Sequence, residues 1–458
     1  MNLSNPCISA ASSSETLTDA CRLVTRDLFV SLFEAFEIAG VEHVIVGQTA
    51  GFPEHVLSDV DIVVRPGDLR RVRDIVWQWH DGARLSQILQ HEIGAIYFVL
   101  SARCGDHFVH FHPDVSADYR RGARCWLTAD YLLAGRVRDP AGFWVPAPSS
   151  AFAYYLVKRI DKLSLGDAHM RYLHGVFMKA PQACEEIGRC LLGDAAWNTF
   201  WTFLLQDLSV PLATLRDLQR ALVMRAPREP LNRALWARWL EFRRKLRRVF
   251  RPTGLVVAVL GPDGAGKSTI IEGMREELSQ AFRRTDYFHL RPRLLRSGGT
   301  GSAPVTDPHG LPPRGKPASI AKLGMVVADA WLGHALSVFP LKCRSSLVIF
   351  DRYAHDMLAD PLRYRLSTPR WLNAVLLWPV PLPDLYLILD APVTVLLGRK
   401  AEVSAAACAA QLDGYRDLLR QLPHAVRIDT AQLAKASIAD ACEAVLARMR
   451  ERLANPAI

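Results

Sequence analysis

The chain of 458 residues carries a formal net charge of +10, and half of its residues are hydrophobic. This composition is globular rather than disordered, and the length exceeds one ordinary hydrophobic core, so we expect two or three domains. The positive charge favours anionic partners such as nucleotides, sugar phosphates, nucleic acid or a lipid surface.

Nine cysteines are scattered along the chain without any CxxC spacing. This pattern argues against a disulfide framework and a zinc site, and it predicts a reduced, cytoplasmic location. The serine-rich start has neither the basic region nor the apolar core of a signal peptide. The apolar segment 320–341 contains Lys322, Asp329 and His334, so we expect a buried helix rather than a membrane span.

Residues 20–148 alternate short apolar runs with helical patterns, which predicts an α+β domain. In this region a predicted strand ends at Gly47, and Asp59 and Asp61 follow within another apolar run. Side chains two residues apart in a strand point to the same face. The two carboxylates are therefore candidate ligands for one Mg²⁺ ion.

The same residues resemble the nucleotidyltransferase superfamily, whose pattern is a glycine, a small residue, Asp-x-Asp, and a third acid on a neighbouring strand. The resemblance covers about residues 25–145. It implies that Asp59, Asp61 and Asp114 bind Mg²⁺, where two metal ions would activate the acceptor oxygen and stabilise the leaving pyrophosphate. Gln48 departs from the pattern because it replaces the usual small residue. A relative that keeps the fold without the activity is the alternative.

Residues 149–251 show helical periodicity and hardly any strand pattern. In the last part, 231–251, apolar residues recur at helical spacing with arginines on the other side. A helix lying on an anionic membrane surface or on nucleic acid has this pattern. An interdomain helix with its arginines in water has it too, and we favour this interpretation.

Residues 252–455 again alternate strands and helices, which predicts a parallel sheet covered by helices on both faces. The predicted strands end at Gly261, His289, Asp351, Asp390 and Asp429. The expected fold class is therefore α/β for this domain.

A glycine-rich octet follows the first of these strands and fits G-x-x-x-x-G-K-[ST]. Its glycines allow backbone N–H groups to converge on phosphate oxygens, and the following helix directs its positive N-terminus at the same anion. Lys267 is expected to reach the β- and γ-phosphates, and Ser268 to ligate Mg²⁺. The predicted nucleotide-binding residues are Gly261, Pro262, Asp263, Gly264, Ala265, Gly266, Lys267, Ser268 and Thr269. The octet predicts binding of a nucleoside triphosphate.

The sequence "FDRY" places Asp351 and Arg352 at the carboxyl end of a later strand, where doubly wound sheets bind ligands. The carboxylate can hold the hydrated metal, and the guanidinium can bind a phosphate through two parallel hydrogen bonds. Taken alone, the pattern also fits a buried structural ion pair.

With "GPDGAGKST", "FDRY", "PDLYLILD", "RKAE" and "VRIDT", about residues 253–453 resemble the thymidylate kinase family of P-loop kinases. The resemblance implies five parallel strands, ATP and Mg²⁺, and an acceptor between core and lid. Carried over by position, the resemblance implies that Lys267 and Ser268 bind ATP and Mg²⁺ and that Asp351 binds the metal. It implies that Arg352 binds the acceptor phosphate and that Asp263 faces the acceptor. Arg399 would lie at the end of the lid, near the transferring group.

The acceptor side departs from that family. "YFHLRPRLLRSGGTG" stands in place of Arg-Glu-Pro, and the Gly/Pro-rich segment 297–317 is expected to be a mobile acceptor loop. A basic cluster would suit an acceptor with more anionic groups than a nucleoside monophosphate. The cluster comprises Arg291, Arg293, Arg352, Arg363 and Arg365. Alternatively, several of these arginines pair with Asp307, Asp356 and Asp360.

The sequence thus predicts an ATP- and Mg²⁺-dependent phosphotransferase that acts on a small phosphorylated acceptor, either a nucleotide or a sugar- or lipid-linked molecule. A nucleotidyltransferase-like module precedes it. The alternatives are a nucleotide-binding regulatory protein without transfer, and a nucleotidyltransferase with an accessory P-loop domain. We expect no stable nucleic-acid partner and no transmembrane segment. Weak membrane-surface contact through 231–251 and a homodimer are both compatible with the sequence.

Overall fold

The computed structural model describes residues 7–56, 59–78, 84–92, 94–121, 124–226, 230–290, 313–400 and 404–454. The chain divides into two units. The first unit comprises 1–83, 88–100 and 111–246, and the second comprises 84–87, 101–110 and 247–458.

The first sheet has six strands in the order β1-β2-β6-β4-β3, with β5 beside β4, and most of its residues belong to the first unit. Its strands are β1 (His43–Ile45), β2 (Val60–Val64), β3 (Arg84–Glu92), β4 (Ala95–Cys104), β5 (His107–Phe111) and β6 (Pro113–Ser116). Two small hairpins follow, β7 (Tyr119–Arg121) with β8 (Arg124–Leu127), and β9 (Val137–Arg138) with β10 (Trp144–Val145). Strands β2 and β6 are parallel, and this pairing puts Asp61 opposite Asp114.

The region predicted to be helical contains no strand in its described residues. Helices make up the rest of the first unit. They are α1 (Cys7–Ile38), α2 (Leu69–Gln78), α3 (Ala129–Leu133), α4 (Pro148–Asp161), α5 (Asp167–Phe177), α6 (Pro181–Leu192), α7 (Asp194–Leu204), α8 (Leu212–Arg225) and α9 (Leu231–Phe250). The last of them, α9, extends into the second unit at residues 247–250. Apolar side chains of α4 to α8 share one core with β1 and β2, including Phe152, Trp197 and Phe200. Helix α4 is therefore fixed beside the strand that carries Asp61.

The second unit contains five parallel strands in the order β12-β13-β11-β14-β15, so the predicted parallel sheet is confirmed. The strands are β11 (Leu255–Leu260), β12 (Arg284–His289), β13 (Ser346–Asp351), β14 (Leu385–Asp390) and β15 (Ala425–Asp429). The helices are α10 (Lys267–Glu277), α11 (Lys316–Gly333), α12 (Phe339–Cys343), α13 (Asp356–Ala359), α14 (Arg370–Leu377), α15 (Val393–Arg399), α16 (Ala405–Gln421) and α17 (Ala434–Ala454).

The central strand β11 is apolar throughout ("LVVAVL"), and its neighbours β13 and β14 are mostly apolar and buried, because separate helical cores cover both faces of the sheet. Since all five strands are parallel, their carboxyl ends lie along one edge. The glycine-rich octet and "DRY" both begin at that edge. The fold therefore brings the two most specific sequence motifs to the same side of the sheet.

The apolar segment 320–341 lies in α11, which continues through a π-helical turn into α12. By length and composition, Lys316–Cys343 is the one helix in the described chain that could cross a membrane. The prediction of a buried helix is wrong for most of this segment, since 28% of its apolar window is buried. Leu323 and Val326 pack towards the sheet, whereas Trp331 and Leu336 are exposed, because the sheet covers only one face of the helix.

Helix α9 runs from the first unit into the second at residues 246 and 247, and its role as an interdomain helix stays a prediction. Its arginines 238, 243 and 247 are exposed as expected for an interdomain helix, but large apolar side chains such as Trp236 and Phe242 are exposed as well. Within the described residues this helix does not bury its apolar face.

Candidate functional site

The glycine-rich octet, residues 261–268, joins β11 to α10 and is called the phosphate loop below. Its backbone requires glycine at two positions. Gly264 and Gly266 have φ angles of +81° and +84°, which side chains of L-residues rarely adopt. A Cβ atom on Gly264 would also lie 3.0 Å from the carbonyl oxygen of Leu396 in α15. The loop therefore lies directly against the helix that leads into the predicted lid.

Lys267 is the first residue of α10, and its side chain turns back over the loop. Its Nζ donates to the carbonyl oxygens of Gly261 (2.9 Å) and Pro262 (2.7 Å) and lies 3.7 Å from the carboxylate of Asp263. Burial, with Arg352 nearby, lowers the pKa of Lys267 to about 8. A phosphate oxygen is a stronger acceptor than a carbonyl, so a triphosphate can draw this ammonium away from the loop carbonyls.

Asp351 ends β13 and lies beside Val259 of β11 in the parallel register. Its Oδ2 accepts hydrogen bonds from Tyr287 (3.1 Å) and from Nδ1 of His289 (3.3 Å). Its Oδ1 is buried and has no hydrogen-bond partner among the described residues. Burial opposes ionisation, but His289 and nearby cations bring the pKa of Asp351 below its usual value. An ionised carboxylate with an unpaired oxygen suits Mg²⁺ coordination.

Arg352 and Arg363 converge on Asp263 of the phosphate loop. Arg352 Nη2 donates to Oδ1 of Asp263 at 2.6 Å, and Arg363 Nη1 donates to Oδ2. Although burial acts in the opposite direction, the three cations Lys267, Arg352 and Arg363 hold the pKa of Asp263 below its usual value. Three residues predicted to serve the acceptor thus form one ion-pair network in the second unit.

Asp356 holds the other side of Arg352, and sequence reasoning considered it only as an alternative ion-pair partner. Its fully buried carboxylate accepts from Arg352 Nη1 (3.0 Å), Tyr364 (2.6 Å) and Tyr415 (2.5 Å). The spacing of four residues between Arg352 and Asp356 is a sequence signal from which this ion pair could have been predicted. Nothing near "DRY" in the sequence indicates Tyr415, because it comes from the distant helix α16. Arg352, which the sequence assigned either to a phosphate or to a structural ion pair, thus forms the buried ion pair with Asp356.

The other residues that the sequence predicted for the site either make different contacts or lie outside the described residues. Arg399 is exposed at the end of α15 and donates to the carbonyl oxygen of Thr430 at 2.8 Å, so its described contact is with the residue after β15. The backbone carbonyl of Arg365 accepts from the N–H of Arg314. Arg291, Arg293 and Asp307, with most of the predicted acceptor loop, lie outside the described residues.

The three predicted carboxylates of the first unit lie on neighbouring segments. Asp59 precedes β2 and accepts from the hydroxyl of Tyr97 at 2.9 Å. Asp61 accepts from Nζ of Lys158 in α4 at 2.5 Å. Burial, together with the neighbouring Asp61, raises the pKa of Asp114 to about 6. This rise is expected where several carboxylates lie close together.

A cavity of about 120 Å³ adjoins Asp59 and Asp61 within the first unit. Its lining includes Gln48, Asp59, Asp61, Lys158 and Arg159. In the part of the chain that the structure describes, no group of three His, Cys, Asp or Glu side chains is arranged to hold a metal ion. The ammonium of Lys158 instead neutralises Asp61. Sequence reasoning missed Lys158, although the Lys-Arg pair in a predicted helix was visible.

Comparison with known proteins shows similarity over part of the chain. No protein-family model matches the chain. Thymidylate kinases from three strains of Xanthomonas campestris pv. campestris (B100, 8004 and ATCC 33913) are each 29% identical over 157 residues, or 32% of this chain. The chain spans 61% of the length of these relatives. The crystal structure of thymidylate kinase from Ehrlichia chaffeensis matches 38% of this chain and 87% of its own, with 19% identity and a TM-score of 0.27. The similarity to thymidylate kinases is weak and covers about a third of the chain.

Proposed function

We propose that the second unit is an ATP- and Mg²⁺-dependent phosphotransferase. The observation that carries the proposal is the ion-pair network at the edge of the parallel sheet. There, Arg352 connects Asp263 of the phosphate loop to the buried Asp356, with Lys267 close to Asp263. The partial similarity to thymidylate kinases supports the same class of reaction.

In this proposal the loop N–H groups and Lys267 hold the triphosphate, and Ser268 and Asp351 hold Mg²⁺. A Mg²⁺ ion held by these two residues would offset the negative charge of the phosphate groups. The exposed hydroxyl of Ser268 in the first turn of α10 and the unpaired buried oxygen of Asp351 are suitable ligands. Lys267 stays bound to the phosphate group during its transfer, because its ammonium can exchange hydrogen bonds to the loop carbonyl oxygens for hydrogen bonds to phosphate oxygens.

The acceptor in this proposal carries a phosphate group. Arg352 and Arg363 both bind the Asp263 carboxylate, so a phosphate monoester can replace that carboxylate between the two guanidinium groups. Because Asp356 remains bound to the far side of Arg352, the guanidinium keeps its orientation during the exchange. The acceptor class is a nucleotide or a sugar- or lipid-linked phosphate. Thymidine monophosphate should be a poor acceptor, since the sequence around Arg363 departs from the thymidylate kinase pattern.

A product screen tests the proposal. The full chain is incubated with ATP, Mg²⁺ and pooled nucleotides and sugar phosphates, and products are identified by mass spectrometry. We expect ADP together with one acceptor heavier by a phosphoryl group, and both should form about 10²–10³-fold more slowly with Lys267→Ala. Tight ATP binding without any phosphorylated product from broad pools would instead support a nucleotide-binding regulatory protein.

Nucleotidyl transfer by the first unit is the second candidate, favoured by the register that puts Asp61 opposite Asp114. A divalent ion at these residues requires Lys158 to release Asp61, so the arrangement does not fit the metal as it stands, and Mg²⁺ binding there stays a prediction. The same screen detects this activity as a nucleotidyl adduct with released pyrophosphate. Asp61→Asn should abolish such an adduct and leave the phosphoryl product in place.

A further inference from the structure

Helix α9 presents a continuous apolar face to solvent. Seven large apolar side chains on it are exposed: Leu235, Trp236, Trp239, Phe242, Leu246, Val249 and Phe250. The exposed fractions reach 59% for Trp236, 64% for Phe242 and 75% for Phe250. Scattered exposed apolar residues are ordinary on a protein surface, but seven within one helix of 20 residues need a partner.

These side chains occupy one side of the helix, because their spacing follows steps of three, four and seven residues. The rings of Trp236 and Trp239 stack with centroids 4.9 Å apart, and the guanidinium of Arg243 lies 5.4 Å from the Trp239 ring centre. Near the end of the helix the opposite side contacts the segment before β13, where Arg248 donates to the carbonyl oxygen of Cys343 at 2.6 Å. The apolar side is therefore directed away from the contacts that fix the helix.

Positive charge borders this apolar face on both sides. Arg238 and Lys245 lie along one border and Arg243 and Arg247 along the other, and all four are exposed. The helix has one acidic residue, Glu241, and Arg244 pairs with it at 2.9 Å. Aromatic and leucine side chains between two rows of basic residues are typical of helices that lie in the interface of an anionic bilayer.

We infer that α9 is a membrane-surface helix that binds anionic lipid. The helix is about 30 Å long at 1.5 Å per residue, so its whole apolar face can enter the boundary between headgroups and acyl chains. A second copy of the chain fits less well, because pairing through this face brings the same basic borders together. Nucleic acid would use the arginines but would leave the tryptophans in water. This binding does not depend on the proposed phosphotransfer.

Vesicle flotation with the full chain tests the inference. Phosphatidylcholine vesicles with and without phosphatidylserine are used at low and high salt. Wild-type protein should float with the phosphatidylserine vesicles, and high salt should weaken the binding. The double variant Trp236→Ser/Trp239→Ser should lose affinity by about tenfold or more, because two large apolar side chains no longer enter the lipid. Arg238→Gln should cost roughly fivefold.

The control replaces exposed tryptophans of the second unit, Trp371→Ser/Trp378→Ser, which lie outside α9. This control should bind vesicles like the wild type, and circular dichroism should show all variants folded. Three results would overturn the inference: no flotation of the wild type, equal flotation of the α9 variant, or equal loss in the control. Dimerisation through α9 without vesicle binding, or binding to DNA but not to vesicles, would also overturn it.

Discussion

Arg352 shows how single residues set up the candidate site. Its backbone has a φ of +71°, a conformation that costs a side-chain-bearing residue about 1–3 kcal/mol. The buried carboxylate of Asp356 on one side and Asp263 on the other offset this cost. The guanidinium is thus oriented before any phosphate arrives, which reduces the entropy lost on binding.

Lys267 gives a prediction for the dependence of ATP affinity on pH. Its pKa in the free protein is about 8, well below the usual 10.5, and a bound triphosphate favours the charged form. ATP affinity should therefore stay constant up to about pH 8 and then fall, approaching tenfold per pH unit. Titration calorimetry from about pH 7 to about pH 10 measures this. Lys267→Arg, which keeps its charge throughout, should lack the alkaline fall. Wild-type affinity that stays flat to pH 10 would contradict this role for Lys267.

At the scale of elements, the phosphate loop packs directly against α15. Gly264 and Gly266 share a positive φ, but only at Gly264 would a Cβ meet α15. Both alanine variants should lose stability through backbone strain, about 1–2 kcal/mol. Gly264→Ala should lose about 1–3 kcal/mol more, since the carbonyl of Leu396 must move. Urea unfolding followed at the second unit compares them. Equal losses would show that the contact with α15 carries no energy.

The parallel strands and the phosphate loop could be predicted from sequence because their signals are local. Apolar runs such as "LVVAVL" mark strands buried on both faces, and the glycine spacing specifies the loop. The partners of the site could not be predicted in the same way. Tyr415 reaches Asp356 from α16, and Lys158 reaches Asp61 from α4, and neither pairing has a spacing that sequence alone can reveal.

The partly exposed helix α11 shows a second limit of predicting burial from local sequence patterns. Its run of apolar residues predicted full burial, yet Trp331 and Leu336 face solvent. Hydrophobic periodicity tells which residues can be buried but not whether a second layer covers them. For the same reason, the sequence of α9 did not distinguish an interdomain helix from a surface helix.

At the scale of the whole molecule, the chain joins two units that each carry acidic and basic groups around a candidate site. In the first unit Lys158 neutralises Asp61, and in the second Arg352 and Arg363 neutralise Asp263. A metal ion is not needed to compensate Asp61, whereas Asp351 retains an unpaired buried oxygen. This contrast supports the proposal that phosphoryl transfer belongs to the second unit.

Transfer of label from ATP tests this assignment most directly. The full chain is given ATP labelled at either the γ- or the α-phosphate, with Mg²⁺ and the pooled acceptors. We expect label in the product only from the γ-position, unchanged in Asp61→Asn and slowed about 10²–10³-fold in Lys267→Ala, which loses an electrostatic contact to the transferring phosphate. Product labelled from the α-phosphate, or wild-type rates of γ-transfer in Lys267→Ala, would contradict the account.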